Sequence, residues 1–179
     1  SYGTRFGHYG IHLGSVHNFL VEDVTIMNST VHTFSMNTKS TKSVFLRGEG
    51  FAQPTLDQHA GANHQNLYDN MTFHIEAARD EKGPYYDLWF GGGAGYWQPG
   101  HGRYNTTWNS KILVESGADS NETVRILGQT EGPDARVIGM YGNRHFEVEH
   151  YPAPHTGEIN SKVAIPSLYE YQKQQRSKE

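Results

Sequence analysis

The chain is predicted to be all-β, a parallel β-helix with a short helical cap at its C-terminal end, and three observations lead there. Glycine (20 residues) and tyrosine (11) are abundant in the 179 residues, and Asn, Ser and Thr are frequent, a vocabulary of strands and turns. Short β-type runs recur with a loose spacing of roughly 23 residues, as stacked coils require. No amphipathic stretch of helical length separates those runs, which argues against alternating βα units.

The first run, HNFLVEDVTIMNS (17–29), resembles a later one, HQNLYDNMTFHIE (64–76); each carries an acidic or amide residue before an apolar-Thr-apolar triplet. KSVFLRGEG (42–50) lies between them, so the pair reads as two turns of a coil. NTTWNSKILVE (105–115), ETVRILGQ (122–129), ARVIGMYG (135–142) and HFEVEHY (145–151) continue the series, each bounded by Gly, Asn, Pro or Asp. A sandwich of antiparallel hairpins would show tight turns of the Asn-Gly type; none is found. Pro166 and Ser167 open a short helical pattern in which Leu168 and Tyr171 share a face. Residues 1–157 are therefore expected to form β coils and 158–179 a capping segment in a single domain. The opening SYGTRFGHYGIHLGS has no start-of-domain pattern and reads as the middle of a longer solenoid, with additional N-terminal coils as its neighbours.

Formal charge is −4 and the basic residues are scattered, which leaves no electrostatic footprint for nucleic acid. No apolar run reaches the roughly 20 residues that span a bilayer, so no membrane partner is expected. Cysteine is absent, excluding disulfides and thiolate metal sites. Asn28, Asn70, Asn105 and Asn121 each open an Asn-x-Ser/Thr triplet, a modification signal only along a eukaryotic secretory route.

Two segments carry chemistry. In TLDQHAGANHQNLYDN (55–70), Asp57 and His59 are two apart and project to one face of an extended strand. An aspartate beside a histidine fixes its tautomer or favours its protonated form, as a general base or acid near neutral pH requires. His64 lies beyond an Ala-Gly-Ala-Asn turn that can fold back toward the pair, and a structural role stands open beside the catalytic one. Asn63, Asn66 and Asn70 read as corner residues that satisfy backbone groups, and Asp69 as a turn residue. Asp57, His59 and His64 also offer ligands for zinc, but their spacing matches no metal signature, and the dispersed carboxylates nominate no calcium site. No cofactor is expected, with a divalent cation such as calcium or zinc left open.

The second segment is GGGAGYWQPGHGRYNTTWN (91–109). Tyr96, Trp97 and Tyr104 offer aromatic faces for sugar rings; Arg103 offers a bidentate partner for a carboxylate, and His101 stands beside it. Trp108 reads as packing, His32 as able to face the same groove one coil earlier, and Lys39, Lys42 and Arg47 as solvated surface.

LDQHAGANHQNLYDN, GGGAGYWQPGHGRYNTTWN and the closing PSLYEYQKQQR together resemble the C-terminal region of secreted pectate-lyase-like right-handed parallel β-helix proteins, in particular a C-terminal domain of unassigned function from polysaccharide-degrading bacteria. The resemblance covers roughly residues 15 to 176. It implies right-handed coils, a polysaccharide ligand, and a secreted, extracellular or periplasmic setting; it supplies no catalytic assignment.

The residues favour a polysaccharide lyase acting on an anionic, uronic-acid-containing glycan. His59 or His64 would serve as base, oriented by Asp57, with Arg103 pairing the substrate carboxylate and Tyr96 or Tyr104 donating the proton. His32, Tyr96, Trp97, His101 and Tyr104 are the expected substrate contacts. A β-helix glycoside hydrolase, needing two facing carboxyls, and a non-catalytic carbohydrate-binding or structural solenoid are the alternatives.

Overall fold

The computed structural model describes residues 7–59, 61–90, 102–128, 132, 134–150 and 154–178. The chain is a right-handed parallel β-helix with a C-terminal helical cap. The first coil holds β1 (Gly7–Leu13), β2 (Leu20–Glu22) and β3 (Thr25–Ile26); the second, β4 (Thr30–Met36), β5 (Val44–Leu46) and β6 (Glu49–Gly50). The third holds β7 (Leu56–Asp57), β8 (Leu67–Asp69) and β9 (Thr72–Glu76). After β10 (Ala78–Asp80) the fourth coil follows with β11 (Gly83–Phe90), β12 (Thr106–Trp108) and β13 (Lys111–Ser116). The fifth has β14 (Thr123–Gly128), β15 (Arg136–Ile138) and β16 (Tyr141–Gly142), and β17 (His145–His150) and β18 (His155–Gly157) lead to helix α1 (Leu168–Arg176).

Equivalent strands stack into three parallel sheets. The first runs β1-β4-β7-β11-β14-β17, the second β2-β5-β8-β12-β15-β18 and the third β3-β6-β9-β13-β16. The fold follows from alternation. Phe73 and Ile75 in β9 and Ile112 and Val114 in β13 point inward while their neighbours face out. Inside, residues of successive coils stack: Phe45 lies over Tyr68 with ring centroids 5.9 Å apart and planes 5° apart, and Phe34 meets Phe45 edge-on.

The corners explain the loose repeat. Asp23, Arg47, Asn70 and Asn109 hold left-handed backbone with φ between 49° and 55°. This conformation turns the chain sharply between the second and third sheets and is one that Asn and Asp tolerate well. Their amides donate in succession to the carbonyls of Leu46, Asp69, Trp108 and Ile138, so every corner is tied to the next coil. A second ladder of left-handed residues, Asn18, Lys42, Gln65, Tyr104 and Asp134, turns the chain into the second sheet.

Asn66 and Asn63 hold the structural corner positions expected of them. Asn66 Oδ1 accepts from the Ser43 amide, its Nδ2 donates to the Ser40 carbonyl, and its own amide donates to Asn105 Oδ1. The longer gap before the fourth coil contains an antiparallel hairpin of β10 and β11, unforeseen in the sequence, which turns through Gly83 at φ 113°. Arg79 clamps it bidentately to Glu122.

Helix α1 starts at Ser167, whose hydroxyl accepts from the Glu170 amide. It lies back along the flank and is anchored there by Asp69. That carboxylate accepts from the Ser167 hydroxyl and the amides of Leu168 and Tyr169. Trp108 Nε1 donates to the Ile165 carbonyl, Asn109 Nδ2 to that of Pro166, and Arg47 pairs with Glu170. Asp69 is thus the helix anchor rather than only a turn residue.

Candidate active site

Leu56 and Phe34 are fully buried in the core, so their neighbours Asp57 and Ser35 project from the outer face of the first sheet. The two are register partners on adjacent strands, and His12 of β1 is the register partner of Ser35. Tyr9 is likewise paired with His32. Parallel stacking therefore gathers residues from three coils at one place.

Asp57 is the centre of this cluster and is 0% exposed. A buried carboxylate needs compensation. Ser35 Oγ donates to Oδ2 at 2.6 Å, and the Nδ1 atoms of both His32 and His59 lie 3.3 Å from the same oxygen. From the core side, the Tyr68 hydroxyl donates to the Asp57 carbonyl at 3.2 Å. The two histidine contacts are at ion-pair range without hydrogen-bond geometry; a carboxylate only accepts, so a small rotation that aims Nδ1–H at it would leave the lone pair on Nε2. His59 remains partly exposed at 18% of its side chain, so its Nε2 can act on a ligand; His32, at 6%, is a supporting group.

Aromatic rings complete the wall. Tyr9 stacks on His32 at 5.0 Å between centroids, and His59 meets His32 edge-on at the same distance. Tyr9 lies 4.6 Å from His12 and 6.1 Å from His59. Burial, then the negative charge of Asp57, pushes the Tyr9 phenol above its ordinary value, against an opposing hydrogen bond from Asn37. His12 is pushed down, mainly by burial and then by His59, while Asp57 pulls the other way. Asn37 Oδ1 accepts from the Thr38 hydroxyl, so its Nδ2 faces His12 Nδ1 at 3.3 Å. That network assigns the remaining proton of His12 to Nε2. The site thus brings a partly exposed imidazole beside a buried carboxylate, with a phenol and a second imidazole alongside.

His32, Asp57 and His59 place one ligand atom each within 4.8 Å of one another. Two imidazoles and one carboxylate are a donor set that suits a zinc-type ion better than calcium, which prefers oxygen ligands. His64, which the sequence offered as a third zinc donor beside Asp57 and His59, is not in that group.

The structure divides the residues singled out in the sequence. Asp57, His59 and His32 converge. His64 and Arg103 instead stand side by side on another ladder, His17-Thr41-His64-Arg103, at the corner leading into the second sheet. Arg103 pairs there with Asp134 at 3.3 Å and lies 4.9 Å over the Tyr104 ring. Tyr96, Trp97 and His101 lie outside the described residues. Trp108 packs against the capping segment, as expected. Sequence reasoning missed Tyr9, His12 and Ser35. The signal was GHYGIHL, whose His and Tyr fall into register with TVHTFSM.

Comparison of the chain with protein-family models, with curated proteins and with solved structures yielded no match.

Proposed function

We propose that the protein is a carbohydrate-active enzyme that cleaves a uronic-acid-containing polysaccharide by β-elimination. The observation that carries this reading is the convergence of His32, His59 and Ser35 on a single buried oxygen of Asp57, with Tyr9 alongside. His59 Nε2 takes the proton α to the uronate carboxylate, and the electron pair passes into the carboxylate as an enolate. That pair then forms the C4–C5 double bond as the C4–O bond breaks, and the Tyr9 hydroxyl protonates the departing sugar oxygen. His12 Nε2–H, and the Nε2–H that His59 gains on taking the proton, supply hydrogen bonds to the developing negative charge.

A hydrolase reading is less well supported, because glycoside hydrolysis needs two carboxyls facing the scissile bond, whereas Asp57 is 0% exposed and taken up by Ser35, His32 and His59. An extracellular or periplasmic setting accords with a polymeric substrate. The test is incubation with polygalacturonate and alginate while the ultraviolet absorbance of the unsaturated product is followed. Rising absorbance is expected. Reducing ends without absorbance would identify a hydrolase, and binding without cleavage would identify a binding module; either result overturns the lyase reading.

A further inference from the structure

Helix α1 is fixed at its start and stands off the second sheet beyond it, leaving a cavity of about 550 Å³ between the two. That volume lies in the range of small-ligand sites. Three successive coils contribute to its floor, through Phe19 in the first, Lys42 in the second and Gln65 in the third, while Gln172 and Arg176 of α1 form the opposite wall. At the ordinary strand spacing, three coils span roughly 10 Å, the length of a short oligosaccharide.

The chemistry of the lining is uneven in charge. Among the described residues no carboxylate lines the cavity, although the chain carries a net charge of −4. Among the described residues neither Lys42 nor Arg176 forms an ion pair, whereas neighbouring Arg47 is taken up by Glu22, Asp23 and Glu170. Phe19 is 49% exposed and offers its face to solvent. Two unpaired cations, an exposed aromatic ring and carboxamides suit a ligand with carboxylates, an apolar ring face and hydroxyls. The His17-Thr41-His64-Arg103 ladder runs beside the Lys42 and Gln65 positions that line this cleft.

We infer that this cleft is a second, non-catalytic binding site for an acidic oligosaccharide, holding the glycan through Lys42 and Arg176 with Phe19 as the stacking platform. The inference rests on the reading that the protein handles uronate glycans, and it adds a site to that reading.

The experiment titrates saturated tri-galacturonate and tri-mannuronate into the His59→Ala chain, which cannot consume them, by calorimetry. Phe19→Ala, Lys42→Ala and Arg176→Ala are each expected to weaken binding roughly five- to tenfold with an unchanged melting temperature. Lys42→Arg and Arg176→Lys should retain it, and added salt should weaken it. Binding untouched by the three alanine variants, or no binding of either trisaccharide, overturns the inference. So does a concentration-dependent dimer that Arg176→Glu dissolves, because the cleft would then be a self-contact. Cleft-dependent binding in a chain whose unaltered form releases no unsaturated product would sustain the second site while removing the lyase reading.

Discussion

Ser35 on the second coil and Asp57 on the third occupy the same register position of adjacent strands, and the Ser35 hydroxyl donates to the Asp57 carboxylate at 2.6 Å. A parallel ladder fixes that geometry in the backbone, so the carboxylate is oriented before any ligand arrives. The Nδ1 atoms of His32 and His59 stand 3.3 Å from the same carboxylate oxygen. The backbone of His59 is also held, since Asn63 Nδ2 donates to its carbonyl.

Asp57→Asn is expected to reduce release of unsaturated product by roughly 10²- to 10⁴-fold, since an amide can present a donor to Nδ1 and turn the wrong tautomer of His59 toward the substrate. Circular dichroism should show the β-helix intact. Activity within threefold of the unaltered chain would show that Asp57 orients nothing.

Tyr9→Phe should lower kcat by about 10²-fold or more while leaving KM within a few-fold, because the ring still stacks on His32 and only the proton is lost. A leaving group that needs no protonation, such as a fluoride at C4, should restore much of the rate. Failure of that rescue would assign the proton to another group.

Zinc and the proton compete for the same Nδ1 atoms. An ion held by His32, Asp57 and His59 displaces the Nδ1 proton, moves it to Nε2 and removes the base, so micromolar zinc should inhibit and a chelator should restore activity. His32→Asn removes one ligand and should weaken inhibition by about tenfold or more. Stimulation by zinc would mean that the ion, and not His59, drives the reaction.

The architecture was legible because its causes are local. Alternating inward side chains, corner residues suited to left-handed backbone and a Ser167 helix start all leave marks in the sequence. The Asp57-His59 pair was legible for the same reason, since two residues on one strand face share a side whatever coil they belong to. Tyr9 and His12 were not, because their place depends on the register of β1 against β4, and a glycine-punctuated run does not announce that register. His64 was expected near Asp57 because its turn can fold back, and Arg103 for its guanidinium; both fall on the His17-Thr41-His64-Arg103 ladder, which the sequence does not announce. The β10-β11 hairpin escaped because its turn, Glu81-Lys82-Gly83, lacks the Asn-Gly type sought.

Asp69 gives a prediction about stability that is independent of the chemistry. It is fully buried and receives three donors from the start of the capping helix. Asp69→Ala leaves the amides of Leu168 and Tyr169 without their acceptor, which should weaken docking of the helix by about 1 to 3 kcal/mol. Hydrogen exchange should then accelerate across 168–176 while the strands keep their protection. Burial pushes the Asp69 carboxyl above the ordinary aspartate value despite those donors. The folded chain therefore holds this proton more tightly than the unfolded chain does. The slope of stability with pH from this group is negative between the ordinary and the raised value, so its contribution is largest below that window and declines as pH climbs through it. Unfolding curves from pH 3 to 7 on the unaltered chain and on Asp69→Ala should differ by a step of that sign. A difference that grows in the opposite direction would show that the three hydrogen bonds outweigh burial at this carboxylate.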